Sequence, residues 1–337
     1  MQNEPGVYII AEIGLNHNGS IDIAHDLIDV AAEACVNAVK FQKRTVENLA
    51  IKTVLDAVDN RFPKFGKTYR EIREHLEFNI EQFTELKVHA NRLDVDFFVT
   101  PFDLTALNFL EDLNLDTYKI ASHSVTNLDF VRKVAETGKQ VIMSTGMSFI
   151  EEIDTAVNLI RDVNPNLSLL HCVSSYPTPI TDCNLLVIPE LKARYGLPVG
   201  YSGHEVGFKP TLAAVAMGAS LVERHITLDT NMVGFDHKLS LCPEELRNLV
   251  LNIREIEIMH GNSSKTLLPV EQITRDKYNV SMVSAREIFA GDVLTEESIT
   301  WKNPGTGIPR KEAKSFLGRK LVVNVSKDIL ITQEMFG

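Results

Sequence analysis

Two histidines stand at the ends of two successive apolar runs, in the segments GYSGH and VERHIT. His204 follows Ser202 by two positions, and His225 follows Glu223 by two positions. Side chains two apart on a strand share a face, so each pair would point the same way. Neutral imidazoles are common ligands of divalent metals, and two protein ligands leave positions for water and substrate. The spacing therefore predicts a Lewis-acid metal site at His204 and His225.

Two lysines lie inside other apolar runs, Lys40 in AVKFQ and Lys119 in YKIAS. Lysine is almost never fully buried without a partner, so both predict a nearby anion. One interpretation is a structural ion pair with Glu12 or Glu223. The other is an anionic ligand, bound by both lysines and by hydroxyl donors. Hydroxyl residues at four further strand ends suit a phosphate and a carboxylate, and they are Thr100, Ser122, Ser144 and Ser202.

More polar residues end the remaining apolar runs or follow them closely. They are Glu12, Gln42, Ser174, Tyr176 and Asp236. No single one of these residues is a strong signal. Their recurrence at strand ends along the chain is what indicates a shared site.

The apolar runs alternate with helical patterns eight times. Strands are predicted at residues 7–14, 38–42, 96–102, 117–122, 140–145, 167–174, 198–204 and 220–227. Eight such units within about 260 residues match a (β/α)8 TIM barrel, in which catalytic residues lie at the C-terminal ends of the strands. The alternative is an open doubly wound sheet. Its dinucleotide-binding form is disfavoured, because no G-x-G-x-x-G motif follows the first strand.

Each predicted strand is followed by a predicted helix, and residues 43–79 form an insertion after the second strand. The helices are expected near residues 21–35, 81–93, 104–113, 127–137, 149–162, 185–195, 208–217 and 243–260. Ser148 with Glu151 has the spacing of a capping box at the start of helix 149–162.

The pattern changes after Gly261. We expect residues 1–261 to form the barrel, and residues 262–279, which are polar and contain Pro269, to form a linker. Residues 280–337 have β-like runs with turns and predict a small β-rich domain. About 58 residues provide too little core for a separate catalytic unit, so this domain is expected to cover another surface.

The composition excludes several classes of protein. The chain has 337 residues and a net charge of −11, which disfavours nucleic acid and anionic membrane surfaces as partners. No stretch resembles a signal peptide or a transmembrane helix. The cysteines form no CxxC pair, which predicts neither a zinc ribbon nor a disulfide framework, and they are Cys35, Cys172, Cys183 and Cys242. We therefore expect a cytoplasmic enzyme with reduced thiols.

At this point the chain resembles the sialic acid synthase family, the nonulosonic acid synthases that use phosphoenolpyruvate. Its C-terminal part resembles their antifreeze-like (SAF) domain, which has a β-clip fold. The resemblance covers nearly the whole chain, and the motifs follow the order of the family. The segments that carry it are AEIGLNHNGS, AVKFQ, YKIAS, VIMSTGMS, LLHCVSSYPTP, VGYSGH and VERHITLD.

The resemblance implies that phosphoenolpyruvate condenses with an N-acylated aldose, such as N-acetylmannosamine or a 6-deoxy diacetamido relative. The products would be a nine-carbon 2-keto acid, sialic acid or a related nonulosonic acid, and phosphate. It also implies a divalent metal, typically Mn²⁺, with Mg²⁺ or Co²⁺ as alternatives. Finally, it implies a domain-swapped homodimer in which the SAF domain of one chain closes over the barrel of the other.

The resemblance also implies roles for individual residues. His204 and His225 correspond to the metal ligands, and Glu223 stands where the family has a carboxylate near the metal-bound water. Phosphoenolpyruvate would be bound by Lys40, Thr100, Lys119, Ser122, Ser144, Ser174 and Ser202. The sugar would be bound by Glu12, Gln42, Tyr176 and Asp236. The catalytic residues would be Glu12, Lys40, Lys119 and Glu223, with Glu12 or Glu223 handling the proton from water.

The chain departs from the family in places that matter for the sugar. The family has Gly-Ser-Gly-Glu where this chain has Ala121–Ser124, so the carboxylate that normally meets the sugar is replaced by Ser124. The family often has asparagine at the position of Ser174. In the SAF domain the family has an arginine where this chain has Asn303, and Lys302 is the adjacent cation. Arginine and lysine are not interchangeable at a bidentate contact.

Two alternatives stay open. One is a class I aldolase or lyase, in which Lys119 forms a Schiff base with a carbonyl substrate. The other is a non-catalytic homologue that binds sugar. The departures at Ser124 and Asn303 leave the second open, whereas four residues oppose it, namely Lys40, Lys119, His204 and His225.

Overall fold

The computed structural model of the protein describes residues 6–261 and 263–337. The chain divides at Gly261 into two units. In the larger unit, eight parallel strands close into a barrel in sequence order, so the prediction of a TIM barrel is confirmed. The strands are β1 (Tyr8–Gly14), β2 (Ala38–Lys43), β3 (Asp96–Pro101), β4 (Thr117–Ile120), β5 (Gln140–Ser144), β6 (Leu167–Cys172), β7 (Val199–Gly203) and β8 (Leu221–His225).

A helix follows each strand, and the insertion 43–79 contains three further short helices. Among the described residues, none of the helices combines the length and apolar character that a membrane crossing requires. The helices of the larger unit are α1 (Ile21–Glu33), α2 (Val46–Leu49), α3 (Lys52–Leu55), α4 (Tyr69–His75), α5 (Ile80–Arg92), α6 (Leu104–Glu111), α7 (Leu128–Glu136), α8 (Ile150–Arg161), α9 (Val187–Tyr195), α10 (Lys209–Ala216) and α11 (Pro243–His260).

The predicted capping box at Ser148 and Glu151 is wrong by one residue. Helix α8 begins at Ile150, and the backbone N–H of Phe149 donates to Glu152 Oε2 at 2.7 Å. The sequence pattern favours Ser148 because its hydroxyl can cap a helix, but the helix begins one residue later, and Phe149 makes no side-chain cap hydrogen bond.

The barrel interior is built in layers because side chains alternate along each strand. One layer is apolar and fully buried, and it consists of Ile10, Ala38, Phe98, Ile142, Leu170 and Leu221. Two residues further along, the inward-facing position is polar on five of these six strands, and on β6 it is Cys172. The strand register places Glu12 of β1 beside Lys40 of β2 and beside His225 of β8. The polar residues therefore lie directly above a close-packed apolar layer.

The smaller unit has its own apolar core around an antiparallel pair of strands, β9 (Ser281–Ser284) and β10 (Ile299–Lys302). Helix α12 (Gln272–Tyr278) lies within residues 262–279, the segment that we expected to be a linker. The N–H of Gly305 donates to the Asp276 carbonyl at 2.7 Å, so α12 is bonded to the loop after β10.

His17 shows how the loop after β1 is fixed. Its ring stacks on Phe78 with centroids 4.2 Å apart, and its Nδ1 accepts the N–H of Gly19 at 3.0 Å. Burial, followed by the charge of Arg44, lowers the pKa of His17 to about 3. The folded protein therefore holds a neutral imidazole here at all but strongly acidic pH.

This histidine should make the protein sensitive to acid. Between pH 6.5 and 5 the unfolded chain binds a proton at His17 that the folded chain does not bind, so the free energy of unfolding falls. The loss is about 1–2 kcal/mol for one such histidine over this range. Urea unfolding at a series of pH values measures it. The variant His17→Gln should lose that share of the pH dependence, whereas His260→Gln, at an exposed position, should keep it. An unchanged pH dependence in His17→Gln contradicts the prediction.

Candidate active site

One cavity of about 380 Å³ opens at the C-terminal ends of the strands. This is the end at which TIM barrels carry out chemistry. All fourteen residues predicted for the site line it, and they are Glu12, Lys40, Gln42, Thr100, Lys119, Ser122, Ser144, Ser174, Tyr176, Ser202, His204, Glu223, His225 and Asp236. The structure thus brings the predicted residues together, while their individual roles remain predictions.

Lys40 lies at the floor of the cavity, almost fully buried. Its Nζ is 2.5 Å from Glu12 Oε2 and 3.8 Å from Glu223 Oε2. It also donates to Thr100 Oγ1 at 3.0 Å. The register of β1 with β2 puts Lys40 beside Glu12, so the ion pair follows from the barrel itself.

Lys119 approaches the carboxylate of Glu223 from the opposite side of the barrel. Its Nζ donates to Ser144 Oγ at 2.5 Å and lies 4.0 Å from Glu223 Oε2. Burial lowers the pKa of Lys119, with Glu223 opposing that shift. Burial alone would raise the pKa of Glu223, but Lys119 and Lys40 outweigh it and hold that pKa below its usual range. Ser202 Oγ donates to Glu223 Oε1 at 3.0 Å.

We call Lys40, Lys119, Glu12 and Glu223 the floor cluster. Its two positive and two negative charges balance, so the ion-pair interpretation of the buried lysines describes the cluster as it stands. Phosphoenolpyruvate carries about three negative charges near pH 7. A ligand of that charge needs additional positive charge close to the floor, because the lysines are already partly neutralised.

His204 and His225 lie side by side above the floor cluster, with ring centroids 5.4 Å apart. His204 Nδ1 is 3.1 Å from the Val173 carbonyl, which can only accept, so that nitrogen carries the proton and leaves Nε2 as an electron-pair donor. Burial, followed by the charge of His225, lowers the pKa of His204 to about 3, so the ring is neutral near pH 7.

The two histidines fit a divalent cation. His225 Nδ1 is buried without a hydrogen-bond partner, and the nearest carboxylate oxygen, Asp236 Oδ2, is 3.8 Å away. In the described part of the chain, no group of three or more His, Cys, Asp or Glu side chains is arranged to hold a metal. A metal at this pair would therefore keep most of its coordination positions for water and substrate.

The serines at the other strand ends surround Gly146. Ser122 Oγ accepts the N–H of Gly146 at 3.0 Å. A Cβ at Gly146 would lie 2.5 Å from Ser174 Oγ and 2.9 Å from Ser122 Oγ. Only glycine leaves room for both hydroxyls here.

Gln42 and Tyr176 lie further from the floor. Gln42 Nε2 donates to Glu12 Oε1 at 2.5 Å, which fixes the carboxylate that also pairs with Lys40. The ring of Tyr176 is 53% exposed and packs on His204 with centroids 4.2 Å apart. It therefore presents one face and its hydroxyl to whatever occupies the cavity.

The outer part of the cavity contains functional groups that sequence reasoning missed. They are Arg44, Arg73, Phe102, His123 and Phe235. Arg44 directly follows β2, and its charge at a strand end was a usable signal. Phe102 likewise directly follows β3. The other three belong to the insertion and to later loops, where no strand alternation predicts where a side chain points.

The departures from the expected family pattern have local explanations. Ser124 is buried and its hydroxyl lies 3.0 Å from His123 Nε2, so the neighbouring imidazole, rather than Ser124, lines the cavity. In the smaller unit, the ammonium group of Lys302 is paired with Asp328.

Comparisons with known proteins agree over nearly the whole chain. The NeuB family matches residues 27–265 and the SAF domain matches residues 279–337. N-acetylneuraminate-9-phosphate synthase of Homo sapiens is 36% identical over 97% of this chain and 92% of its own. N,N'-diacetyllegionaminic acid synthase of Campylobacter jejuni is 36% identical over 96% of this chain and 98% of its own. A solved structure of N-acetylneuraminic acid (sialic acid) synthetase from Leptospira borgpetersenii, in complex with citrate, has a TM-score of 0.70 and 36% identity, covering 80% of this chain and 90% of that chain.

A second buried ion pair supports the histidines from outside the barrel. Arg224 lies between Glu223 and His225 on β8, so its side chain points away from the interior. Its Nη1 donates to Glu205 Oε1 at 2.7 Å and its Nη2 donates to the Glu205 carbonyl at 2.7 Å. Glu205 directly follows His204, so this pair ties the ends of β7 and β8 together.

Breaking this pair should be costly, because it leaves a buried guanidinium without a carboxylate. We expect Glu205→Gln to lower the free energy of unfolding by about 3–5 kcal/mol. The control is Asp154→Asn, which breaks the more exposed pair of Asp154 with Arg194 and should cost much less, because solvent screens that pair. Urea unfolding at pH 7 measures both, and equal losses in the two variants contradict the prediction.

Proposed function

Because the chain belongs to the NeuB family and carries a SAF domain, we propose that it condenses phosphoenolpyruvate with an N-acylated aldose. The products are a nine-carbon 2-keto acid and phosphate. The names of its relatives support this class of product, since they are synthases of N-acetylneuraminate 9-phosphate and of N,N'-diacetyllegionaminic acid. The observation that carries the proposal is the buried floor cluster, ringed by hydroxyl donors at the mouth of the barrel.

Phosphoenolpyruvate is assigned to the floor. Lys40 and Lys119 are placed to bind its phosphate and carboxylate, with hydroxyl donors around them at Thr100, Ser122, Ser144, Ser174 and Ser202. Several of these groups are fixed before any ligand arrives, since Lys40 already bonds to Thr100 and Lys119 to Ser144. Charges and dipoles held in place in this way are often the largest source of catalysis.

A divalent metal is assigned to His204 and His225, with Mn²⁺ as the first choice and Mg²⁺ or Co²⁺ as alternatives. When bound, it supplies Lewis-acid polarisation of the aldehyde oxygen. Its charge also compensates the excess negative charge that phosphoenolpyruvate brings to the balanced floor cluster.

The reaction itself joins the methylene carbon of phosphoenolpyruvate to the aldehyde carbon of the open-chain sugar. Water adds its oxygen to the adjacent carbon, and the aldehyde oxygen gains a proton. The carbon–oxygen bond to the phosphate then breaks as the new hydroxyl becomes the keto group, and its proton leaves with the phosphate. Glu12 or Glu223 takes the proton that the water loses. Gln42, Tyr176 and Asp236 contact the sugar and hold its aldehyde end toward the floor.

A domain-swapped homodimer completes the proposal. It is supported by the similarity of residues 279–337 to the SAF domain and by the family resemblance of the whole chain.

A second candidate is a class I aldolase, and one observation favours it. Burial lowers the pKa of Lys119, which is the change that prepares a lysine for Schiff-base formation. Its amino group is nevertheless hydrogen-bonded to Ser144 and Ile120 and faces Glu223, which favours a binding role.

The proposed reaction predicts that phosphate is released from phosphoenolpyruvate only when an aldose and a divalent metal are both present. N-acetylmannosamine, its 6-phosphate and 6-deoxy diacetamido relatives are to be tested, with product mass as the second measurement. Borohydride should trap no substrate on the protein. Metal-independent turnover with trapping on Lys119 supports the aldolase instead, and no turnover with any aldose contradicts the proposed function.

The metal assignment predicts that His204→Ala binds Mn²⁺ at least about tenfold more weakly and loses turnover, while its circular dichroism spectrum is unchanged. Calorimetric titration with Mn²⁺ measures binding directly. The matched control is His171→Gln, since His171 is equally buried but bonds to the Cys183 carbonyl outside the cavity. Mn²⁺ affinity equal to the wild type in His204→Ala removes this residue from the metal site.

A further inference from the structure

The outer end of the cavity has a composition unlike its floor, and from this we propose a second anion subsite. Arg44 and Arg73 bind a phosphate group at the end of the aldose remote from its aldehyde. The substrate would accordingly be a phosphorylated N-acylaminosugar. This inference rests on the proposed function and specifies its sugar.

Arg44 is held in place with one nitrogen left unused. Its side chain is 6% exposed, and its guanidinium lies 3.8 Å from the centroid of the Phe102 ring. One nitrogen, Nη2, donates to Gln42 Oε1. The other, Nη1, is buried and makes no hydrogen bond, and the nearest carboxylate oxygen, Glu77 Oε1, is 3.9 Å away.

Arg73 reaches the same region from α4. Its guanidinium lies over two rings, 4.3 Å from the centroid of Phe235 and 4.9 Å from that of Tyr69. Its Nε is also buried without a hydrogen-bond partner. Thus two guanidinium groups line one cavity, and each has a buried donor that no group of the protein satisfies.

The charges around these arginines do not balance. Arg73 acts on Arg44 as a like charge and, after burial, is the largest cause that lowers the pKa of Arg44 to about 10. The acidic groups that act on Arg44 are Glu77 and Asp236. Glu77 is already 3.0 Å from Lys43 Nζ, and Asp59, on which Arg73 also acts, is paired with Arg61, so four cations share three carboxylates. This leaves about one positive charge in excess, in contrast to the neutral floor cluster.

The position of the arginines fits the far end of a sugar. Lys40, Gln42 and Arg44 follow one another two residues apart along β2 and its end, and a strand rises about 3.3 Å per residue. Arg44 is therefore about 13 Å along the chain from Lys40, at the outer end of the cavity. A sugar with its aldehyde at the floor would extend its last carbon toward the arginines.

Phosphate is the anion that suits this pair. Guanidinium groups donate in a fixed fork that matches phosphate oxygens, and two of them complement a dianion. The phosphate could belong to the aldose or to phosphoenolpyruvate. We assign it to the aldose because Lys40, Lys119 and the strand-end hydroxyls already provide a phosphate site at the floor.

The test compares N-acetylmannosamine 6-phosphate with N-acetylmannosamine in the wild type and in Arg73→Gln. We expect the wild type to have at least a tenfold higher kcat/KM for the phosphorylated sugar. Arg73→Gln should remove most of this preference by raising KM for that sugar at least tenfold. The KM for phosphoenolpyruvate and the kcat/KM for the unphosphorylated sugar should stay within threefold.

Arg70→Gln is the matched control. Arg70 lies on the same helix, pairs with Asp56 at 2.7 Å and does not line the cavity, so its loss should change none of these constants. Arg44→Gln should behave as Arg73→Gln does. If removal of the buried Arg44 prevents folding, the less buried Arg73 alone decides the result.

The outcomes separate this inference from the proposed function. An equal or higher kcat/KM for the unphosphorylated sugar overturns the second subsite and leaves the synthase proposal intact. A raised KM for phosphoenolpyruvate in Arg73→Gln, with sugar preference unchanged, assigns the arginines to phosphoenolpyruvate and also overturns it. If no aldose turns over, the second anion subsite is still tested by measuring the binding of N-acetylmannosamine 6-phosphate by calorimetry. Binding that Arg73→Gln weakens tenfold supports the subsite, and no binding, or equal binding, overturns it.

Discussion

The site depends on one constraint, that charges buried inside a barrel must neutralise one another. Lys40, Lys119, Glu12 and Glu223 come from four different strands, and they meet only because the sheet closes between β1 and β8. Removing one partner from a buried pair typically costs about 3–5 kcal/mol. The floor cluster therefore fixes the strand ends, and through them the hydroxyls and histidines that surround the cavity. Under the proposed function, the same four groups would serve both folding and ligand binding.

The net charge of the cavity differs between its floor and its outer end. The floor is neutral as it stands, so an anion proposed to bind there would require rearranged ion pairs or the charge of the cation proposed at the two histidines. The outer end is positive in the absence of a ligand, because the cations around Arg44 and Arg73 outnumber the carboxylates there. An elongated substrate thus meets two environments, and the difference between them orients it. The acidic net charge of the whole chain says nothing about either end.

The sequence alone was enough to predict the barrel and the polar residues at its mouth, because both follow from periodicity. Alternation along a strand determines which side chains point inward, so Lys40, Glu223 and the other strand-end residues could be placed together without coordinates. Arg73 and Phe235 could not, because Arg73 lies on a short helix of the insertion and Phe235 on a loop, and strand alternation applies to neither. Helices α2 to α4 are too short for a helical period, and α12 lies in a polar segment without an apolar face. The sequence also left the partner of the buried lysines open, since only distances reveal that both carboxylates lie near them.

Gly146 has a consequence for how such an enzyme can diversify. A methyl group at this position would lie 2.5 Å from Ser174 Oγ and 2.9 Å from Ser122 Oγ, so a larger residue here would require both hydroxyls to move. The residues of the floor cluster are likewise held in place by their contacts with one another. Residues from the insertion and the outer loops are under no such restriction, because they pack against one another over flexible side chains. Under the proposed function, changes at Arg73, His123 or Phe235 would alter the choice of sugar while the residues of the floor cluster stay the same.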